Sequence, residues 1–323
     1  MRYFVTGATG FIGGRLVRRL SADGHEVVAL VRTPAAAGDL ASAGVRLHPG
    51  DITDNTTMRE AMRGADGVFH VAGWYKIGVR DPSPGIRINV DGTRNVLELA
   101  RDLGIPKTVY TSTLAVFSDT RGQIVDETYR HDGPWLSEYD RTKWLAHYAV
   151  AEPLMRAGLP VVIVEPGVVY GPGDTSPMHA PFVQYLRRRL PILPRQTGYC
   201  WGHVDDTADG HVRAMQHGRP GESYIIAGPP HTLIDAFAIA AEITGIPAPR
   251  WHASPGLIRG LSRLLAALGR RDAAETLRVA AGVTYWGTSA KAERELGFHA
   301  RPLRDGFRET LAQEIALQAR TPR

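Results

Sequence analysis

Residues 6–14 read TGATGFIGG, with Gly7, Gly10 and Gly13 at three-residue intervals between the apolar run YFVTG (3–7) and the helix-like stretch FIGGRLVRRLSADG (11–24). Glycine permits a tight turn and lets backbone N–H groups approach a pyrophosphate, and the helix N-terminus adds partial positive charge. The last glycine lets helix and sheet pack closely. A lone triplet is a weak signal. Placed between a first strand and a first helix it marks a dinucleotide-binding turn, with Gly7, Thr9, Gly10, Phe11, Ile12 and Gly13 as contact residues. The spacing is GxxGxxG, not the commoner GxGxxG.

Outward from this turn, branched apolar runs alternate with amphipathic stretches. The expected strands are 3–7, 26–31, 45–50, 67–73, 107–113 and 161–167, and the stretches between them fit helices that often stop at Gly. This rhythm predicts an α/β fold, a doubly wound parallel sheet of Rossmann type. After residue 170 clustered Gly and Pro break the rhythm, yet SYIIAG (223–228) reads as one more buried strand. The expected division is a dinucleotide-binding domain of 1–170 plus about 201–229, a discontinuous substrate lobe of about 171–200 plus 230–312, and a tail of 313–323.

At 323 residues and 43% hydrophobic content the chain can bury a large core, which sets aside disordered and fibrous classes. The single cysteine, Cys200, has no partner for an internal disulfide or a cysteine metal cluster, so no metal is expected and a reducing cytoplasm is. The N-terminal apolar stretch is too short and glycine-rich for a signal or a membrane span. Net charge is +5, but runs such as RLVRRL and YLRRRLP are not interleaved with stacking aromatics. They read as solvated helix faces, with no nucleic-acid or membrane partner; an anionic small molecule suits the balance better. A homodimer is the assembly considered.

At the end of the second strand an acid would bind a ribose 2′-hydroxyl, whereas an arginine accepts a 2′-phosphate. Here the segment is LVRTP, with Arg32 and no acid before Asp39, which predicts NADP(H) over NAD(H). Asp51 and Ile52 are placed to meet the adenine, although Asp51 serves equally as a turn cap. Val71, Ala72 and Gly73 would lie alongside the pyrophosphate and ribose.

In EYDRTKW, Tyr139 and Lys143 stand four apart on one face of an expected helix. A phenol is a poor acid–base group at neutral pH until a cation stabilises its phenolate, and Lys143 can supply that charge. The strand before this helix ends in Thr111, Ser112 and Thr113. Alternation puts Thr111 and Thr113 on one face and Ser112 on the other, and Thr113 lies furthest toward the carboxyl edge, where ligands bind. Thr113 is therefore the expected donor to a substrate carbonyl.

These segments resemble the extended short-chain dehydrogenase/reductase family, and more narrowly its dihydroflavonol-reductase-like branch. TGATGFIGG, LVRTP, GDITD, VFHVAG, NVDGTRNVLE, TSTLAVF, YDRTK, EPGVVYGPGD, HVDDTADGHVRAM and SAKAERELGF occur in family order and cover residues 3 to about 312. The resemblance implies a catalytic Ser/Thr, Tyr and Lys, and its motif selects Thr113, the hydroxyl before Leu114-Ala115-Val116-Phe117. It also implies that Pro166, Gly167, Val168 and Val169 pass the nicotinamide. Asn89, in NVDGT, matches a family position; the alternative is that it only ties helix to sheet.

The implied activity is hydride transfer to or from a small-molecule carbonyl or alcohol, with Tyr139 as acid or base. The alternatives are a nucleotide-sugar epimerase or dehydratase that retains its nicotinamide, and a non-enzymatic dinucleotide sensor. Many sugar-nucleotide members carry an Arg-Asp-Phe type segment before HVDD; TGYCWGH stands there instead, which with Arg32 favours a reductase. Trp74, Tyr75 and Lys76, and further on Phe182, Tyr185, Trp201 and His203, are the expected substrate-pocket residues. Aromatic walls suit a planar or apolar substrate.

Overall fold

The computed structural model describes residues 1–320. Seven strands form one parallel sheet in the order Ser223–Ile226, Val161–Pro166, Thr108–Thr111, Gly67–His70, Arg2–Thr6, Glu26–Val31, Arg46–Pro49. The strands are nearly continuous in apolar residues because helices cover both faces. Along each strand alternate side chains go to opposite layers. Val5, Val27, Ala29 and Val109 meet Leu16 and Val212 on one side, while Phe4, Val28, Leu30 and Val68 meet Met58 and Val96 on the other.

Strand order reverses between Arg2–Thr6 and Gly67–His70, so a crevice opens beyond their carboxyl ends. Two expected strands are shorter than read. Gly67–His70 stops before Val71, and Thr108–Thr111 stops before Ser112; Val71 and Ser112 each still donate one backbone bond to the neighbouring strand, to the Thr6 and Val164 carbonyls, and the chain leaves the sheet after them.

Beyond residue 166 the chain builds a second sheet around Gly198–His203, which pairs in parallel with Val168–Tyr170 and Thr284–Tyr285 and antiparallel with Pro230–Thr232. Helix Val204–His217 then returns to pack on Phe11–Ala22, and Ser223–Ile226 rejoins the main sheet. Helix Leu233–Thr244 opens with a reciprocal cap between Thr232 and Asp235 and stops at Gly245, which is left-handed at φ 71°. The last helix, Leu303–Arg320, runs through most of the stretch read as a tail; residues 321–323 lie outside the described ones. No helix among the described residues is long and apolar enough to cross a membrane.

Candidate active site

The glycine turn closes as its composition predicts. Gly7 is left-handed at φ 76°, and a Cβ there would come within 2.5 Å of the Ala72 nitrogen. At Gly13 a Cβ would sit 2.1 Å from the Gly7 carbonyl oxygen, so the first turn of Phe11–Ala22 lies directly on the loop. Gly10 precedes that helix with no side-chain cap, which leaves the N–H groups of its first turn for an anion. A cavity of about 420 Å³ borders the turn, lined among others by Thr9, Phe11, Arg15, Arg18 and Pro172. This cradle fits a dinucleotide pyrophosphate. Arg32 is exposed at the next strand end and makes no ion pair among the described residues. Asp39, the first acid after it, is held by Arg18.

Beyond Thr108–Thr111 the three hydroxyls have separate duties. Thr111 is 2.8 Å from Nε2 of His211, and Ser112 is 2.8 Å from Nδ1 of His147; both histidines are buried. Thr113 caps the short turn Leu114–Phe117 by accepting from the Ala115 N–H at 3.2 Å, and its hydroxyl lies near enough to the Tyr139 phenol to favour its ionised form. Of the trio, Thr113 alone meets the tyrosine.

Ser137 starts the helix Glu138–Trp144 by capping the Asp140 N–H, and this sets Tyr139 in the first turn and Lys143 one turn on. Lys143 is buried, its Nζ donating to the Thr111 carbonyl at 2.7 Å and to the Tyr110 hydroxyl at 3.3 Å. Burial pushes its pKa down to about 7. Behind it Tyr110 stacks on His70, whose two ring nitrogens meet Thr6 and Thr93. Burial, then the Lys143 charge, hold His70 neutral with a pKa of about 3. The Tyr139 phenol is driven upward by burial first and by Tyr75 second, with the Thr113 hydroxyl opposing. In this geometry desolvation outweighs the stabilisation expected from Lys143, and the phenol is held protonated.

Around Tyr139 lies an aromatic group. The Tyr75 ring packs 4.6 Å from it, centroid to centroid, and Tyr285 stacks with Tyr199 at 5.8 Å. Tyr285 donates to Asp140 Oδ2 at 3.1 Å, and the Ser137 hydroxyl donates to Oδ1 at 2.7 Å. Burial pushes the Asp140 carboxyl up to about 7, with the nearby Glu275 adding to it. Between the ordinary carboxylate pKa of 3.8 and about 7 the folded state therefore holds a proton that the unfolded state has lost, and stability falls as pH rises across that window. Asp140→Asn is expected to flatten this slope, by up to roughly 4 kcal/mol across the window, in urea midpoints measured from pH 4 to 8.

With the fold and site described, relatives can be placed beside them. The profile of the NAD dependent epimerase/dehydratase family matches residues 3–227, well over half of the chain. The chain belongs to that family. Within it, a putative dihydroflavonol 4-reductase of Synechocystis sp. is 35% identical over 91% of this chain and 89% of its own length. A 4-hydroxy-2-methyl-3-oxo-4-farnesyl-3,4-dihydroquinoline-1-oxide ketoreductase of Stigmatella aurantiaca is 32% identical over 93% and 92%. The solved structure of gox2253 superimposes with a TM-score of 0.87 at 30% identity, covering 99% of each chain. A UDP-glucuronic acid 4-epimerase of Bacillus cereus, at 22% identity and TM-score 0.80 over 98% and 100%, shares the fold.

The dihydroflavonol-reductase-like resemblance and the Rossmann architecture thus hold, and nicotinamide dinucleotide binding comes with this epimerase/dehydratase family. Several expected contact residues have other work in this family member. Asp51 accepts from the Thr53 N–H and hydroxyl, both at 2.9 Å, which is the turn-cap reading, and Ile52 is buried against Gly92. Val71 and Ala72 donate backbone N–H groups to Thr6, beside Gly7, and Gly73 follows, exposed. Pro166 ends its strand, Gly167 passes so close to Cys200 that a Cβ would lie 2.1 Å from its carbonyl, and Val168 and Val169 pair beside Trp201 and Gly202.

The substrate residues divide. Trp74 is buried, its N–H and carbonyl both bound by Asn89, which also reaches Thr142 at 2.9 Å; Asn89 thereby clamps the loop to the Tyr139 helix. Tyr75 meets Tyr139, and Lys76 is exposed. Phe182, Tyr185 and Trp201 are corrected from pocket wall to core: they pack with Tyr170, Phe237 and Phe307 in a separate buried cluster. His203 is buried edge-on against Tyr170 and accepts from the Asp205 N–H as a helix cap. Tyr199, Tyr285 and Asp140 are missing from the sequence reading. Strand period 2 puts Tyr199 in line with Trp201, but pairing Tyr285 beside it needs a contact 86 residues away that no local pattern announces.

Proposed function

We propose that the chain is an NADP(H)-dependent oxidoreductase that reduces a ketone or aldehyde of an aromatic or apolar small molecule, or runs the reverse oxidation. The observation that carries this reading is the wall around Tyr139: the groups acting on the phenol are Tyr75, Asp140 and Tyr110, and Glu275 lies beyond Asp140. Aromatic rings and carboxyl groups favour a flat neutral substrate and oppose a nucleoside diphosphate. Relatives named as a dihydroflavonol 4-reductase and a ketoreductase point the same way.

Bound nicotinamide supplies or accepts the hydride. Thr113 hydrogen-bonds the substrate oxygen and fixes it against Tyr139. Tyr139 gives that oxygen its proton, and the Lys143 ammonium, anchored on the Thr111 carbonyl, steadies the negative charge left on the phenolate. Tyr75 covers the pair from water.

Thr113→Val is expected to lower turnover about 10²-fold, because it removes the hydrogen bond to the reacting oxygen. Ser112→Ala, whose hydroxyl serves buried His147, should stay within a few-fold of the parent. The deciding assay follows absorbance with NADPH and NADH against aromatic ketones, aldehydes and nucleotide sugars. The expected result is NADPH consumption with a carbonyl, and an Arg32→Glu variant that loses the NADPH preference at least tenfold. Turnover of a nucleotide sugar with no net loss of NADPH would establish the epimerase reading in its place.

A further inference from the structure

Helix Pro255–Ala267 and the strand before it carry an apolar surface that the molecule leaves uncovered. Leu257 (67% exposed), Leu261 (46%), Leu264 (55%) and Leu268 (67%) follow at intervals of four, three and four, the spacing of a single helix side. The helix does not use these leucines to hold its place. It packs on Arg271–Arg278 through Ile258 and Ser262, whose hydroxyl donates to the Ala274 carbonyl at 2.7 Å. Immediately upstream Trp251 is 71% exposed, and Ile192, its register partner across the Trp251–Ala253 and Ile192–Pro194 ladder, is 47% exposed. A row of four exposed leucines on one helix side is unusual on a monomeric soluble surface.

The charge of the same segment is one-sided. From residue 248 to 271 there are five arginines, Arg250, Arg259, Arg263, Arg270 and Arg271, and no Asp or Glu. Arg250 adjoins Trp251 and the Arg270–Arg271 pair follows Leu268, so positive charge stands at both ends of the leucine row. A second copy of the chain laid on this face would bring like charges together. An anionic lipid surface satisfies both properties, taking leucines and tryptophan into the headgroup boundary and arginines against phosphate.

We propose that helix Pro255–Ala267 docks the protein on anionic membrane surfaces, without spanning them. The docked face is one helix removed from the reaction site. The second helix of the hairpin, Arg271–Arg278, supplies Glu275, which accepts from the Gly78 N–H at 3.2 Å and the Glu138 N–H at 3.4 Å, next to Tyr139. Glu275 thereby ties the docked hairpin to the loop that carries Trp74 and Tyr75 and to the start of the Tyr139 helix. The docking itself stands apart from the reductase reading and is tested separately.

The test is co-sedimentation of the full chain with phosphatidylcholine vesicles and with vesicles holding about 30 mol% phosphatidylglycerol. The expected result is partitioning at least about tenfold stronger on the anionic vesicles, lost in a Leu261→Glu/Leu264→Glu variant that keeps the parent melting temperature. An Arg270→Glu/Arg271→Glu variant should weaken it too, as should added salt. Equal, weak partitioning on both vesicle types overturns the proposal. So does a sedimentation-velocity dimer that the leucine substitutions dissociate, which would assign the face to a second copy.

Discussion

Tyr139→Phe is expected to reduce turnover by about 10³-fold while leaving dinucleotide binding within a few-fold of the parent. The change removes one oxygen and keeps the ring, so the packing against Tyr75 at 4.6 Å survives. What disappears is the proposed acid, the phenol on which the Thr113 hydroxyl acts. Burial and Tyr75 hold the phenol protonated, the form a proton donor needs. The residual rate of the Phe variant, measured beside fluorescence titration of NADPH, separates proton transfer from binding. Lost binding in that variant would assign Tyr139 a structural part instead.

Gly13→Val is the second large effect. Its Cβ would lie 2.1 Å from the Gly7 oxygen and 2.7 Å from the Gly7 carbonyl carbon, both backbone atoms that no rotamer change can move aside. Helix Phe11–Ala22 must lift from the turn, at a cost of about 2–4 kcal/mol, and the free N–H groups at its start move with it. The urea midpoint should drop and nucleotide binding should be lost together. Gly14→Ala next door is the control. Its Cβ meets the end of the Arg18 side chain at 3.1 Å, which can swing away, and a helical alanine is favoured over glycine. That variant is expected to match or exceed the parent stability.

The glycine turn, the doubly wound parallel sheet, and the placing of Tyr139 and Lys143 one turn apart on a helix were legible in the chain because each rests on local spacing: a triplet after a strand, alternating strand and helix runs, a four-residue step on a helix. The aromatic surroundings of Tyr139 were only partly legible. Tyr75 lies in the loop after the fourth strand, within a local pattern; Tyr199 and Tyr285 meet only through the parallel pairing of Gly198–His203 with Thr284–Tyr285. Phe182, Tyr185 and Trp201 were read as wall for the opposite reason. An aromatic residue in a loop-rich lobe looks the same whether it faces a ligand or the lobe's own core, and only packing against Phe237 and Phe307 decides. Nothing local marks Asp140: an acid in a helix's first turn suits the helix dipole wherever it points, and its burial under Tyr285 comes from a residue 145 positions away.

The bond from Tyr285 to Asp140 spans 145 residues. Gly7, Gly13, Thr113, Tyr139 and Lys143 all leave the ribosome long before residue 285 does. A nascent chain that has reached helix Glu138–Trp144 already carries the glycine turn and Tyr139, but lacks Tyr285, the donor to Asp140 Oδ2. Tyr285, from the final third of the chain, then covers the carboxyl, so the order of synthesis is glycine turn first and the burial of Asp140 last.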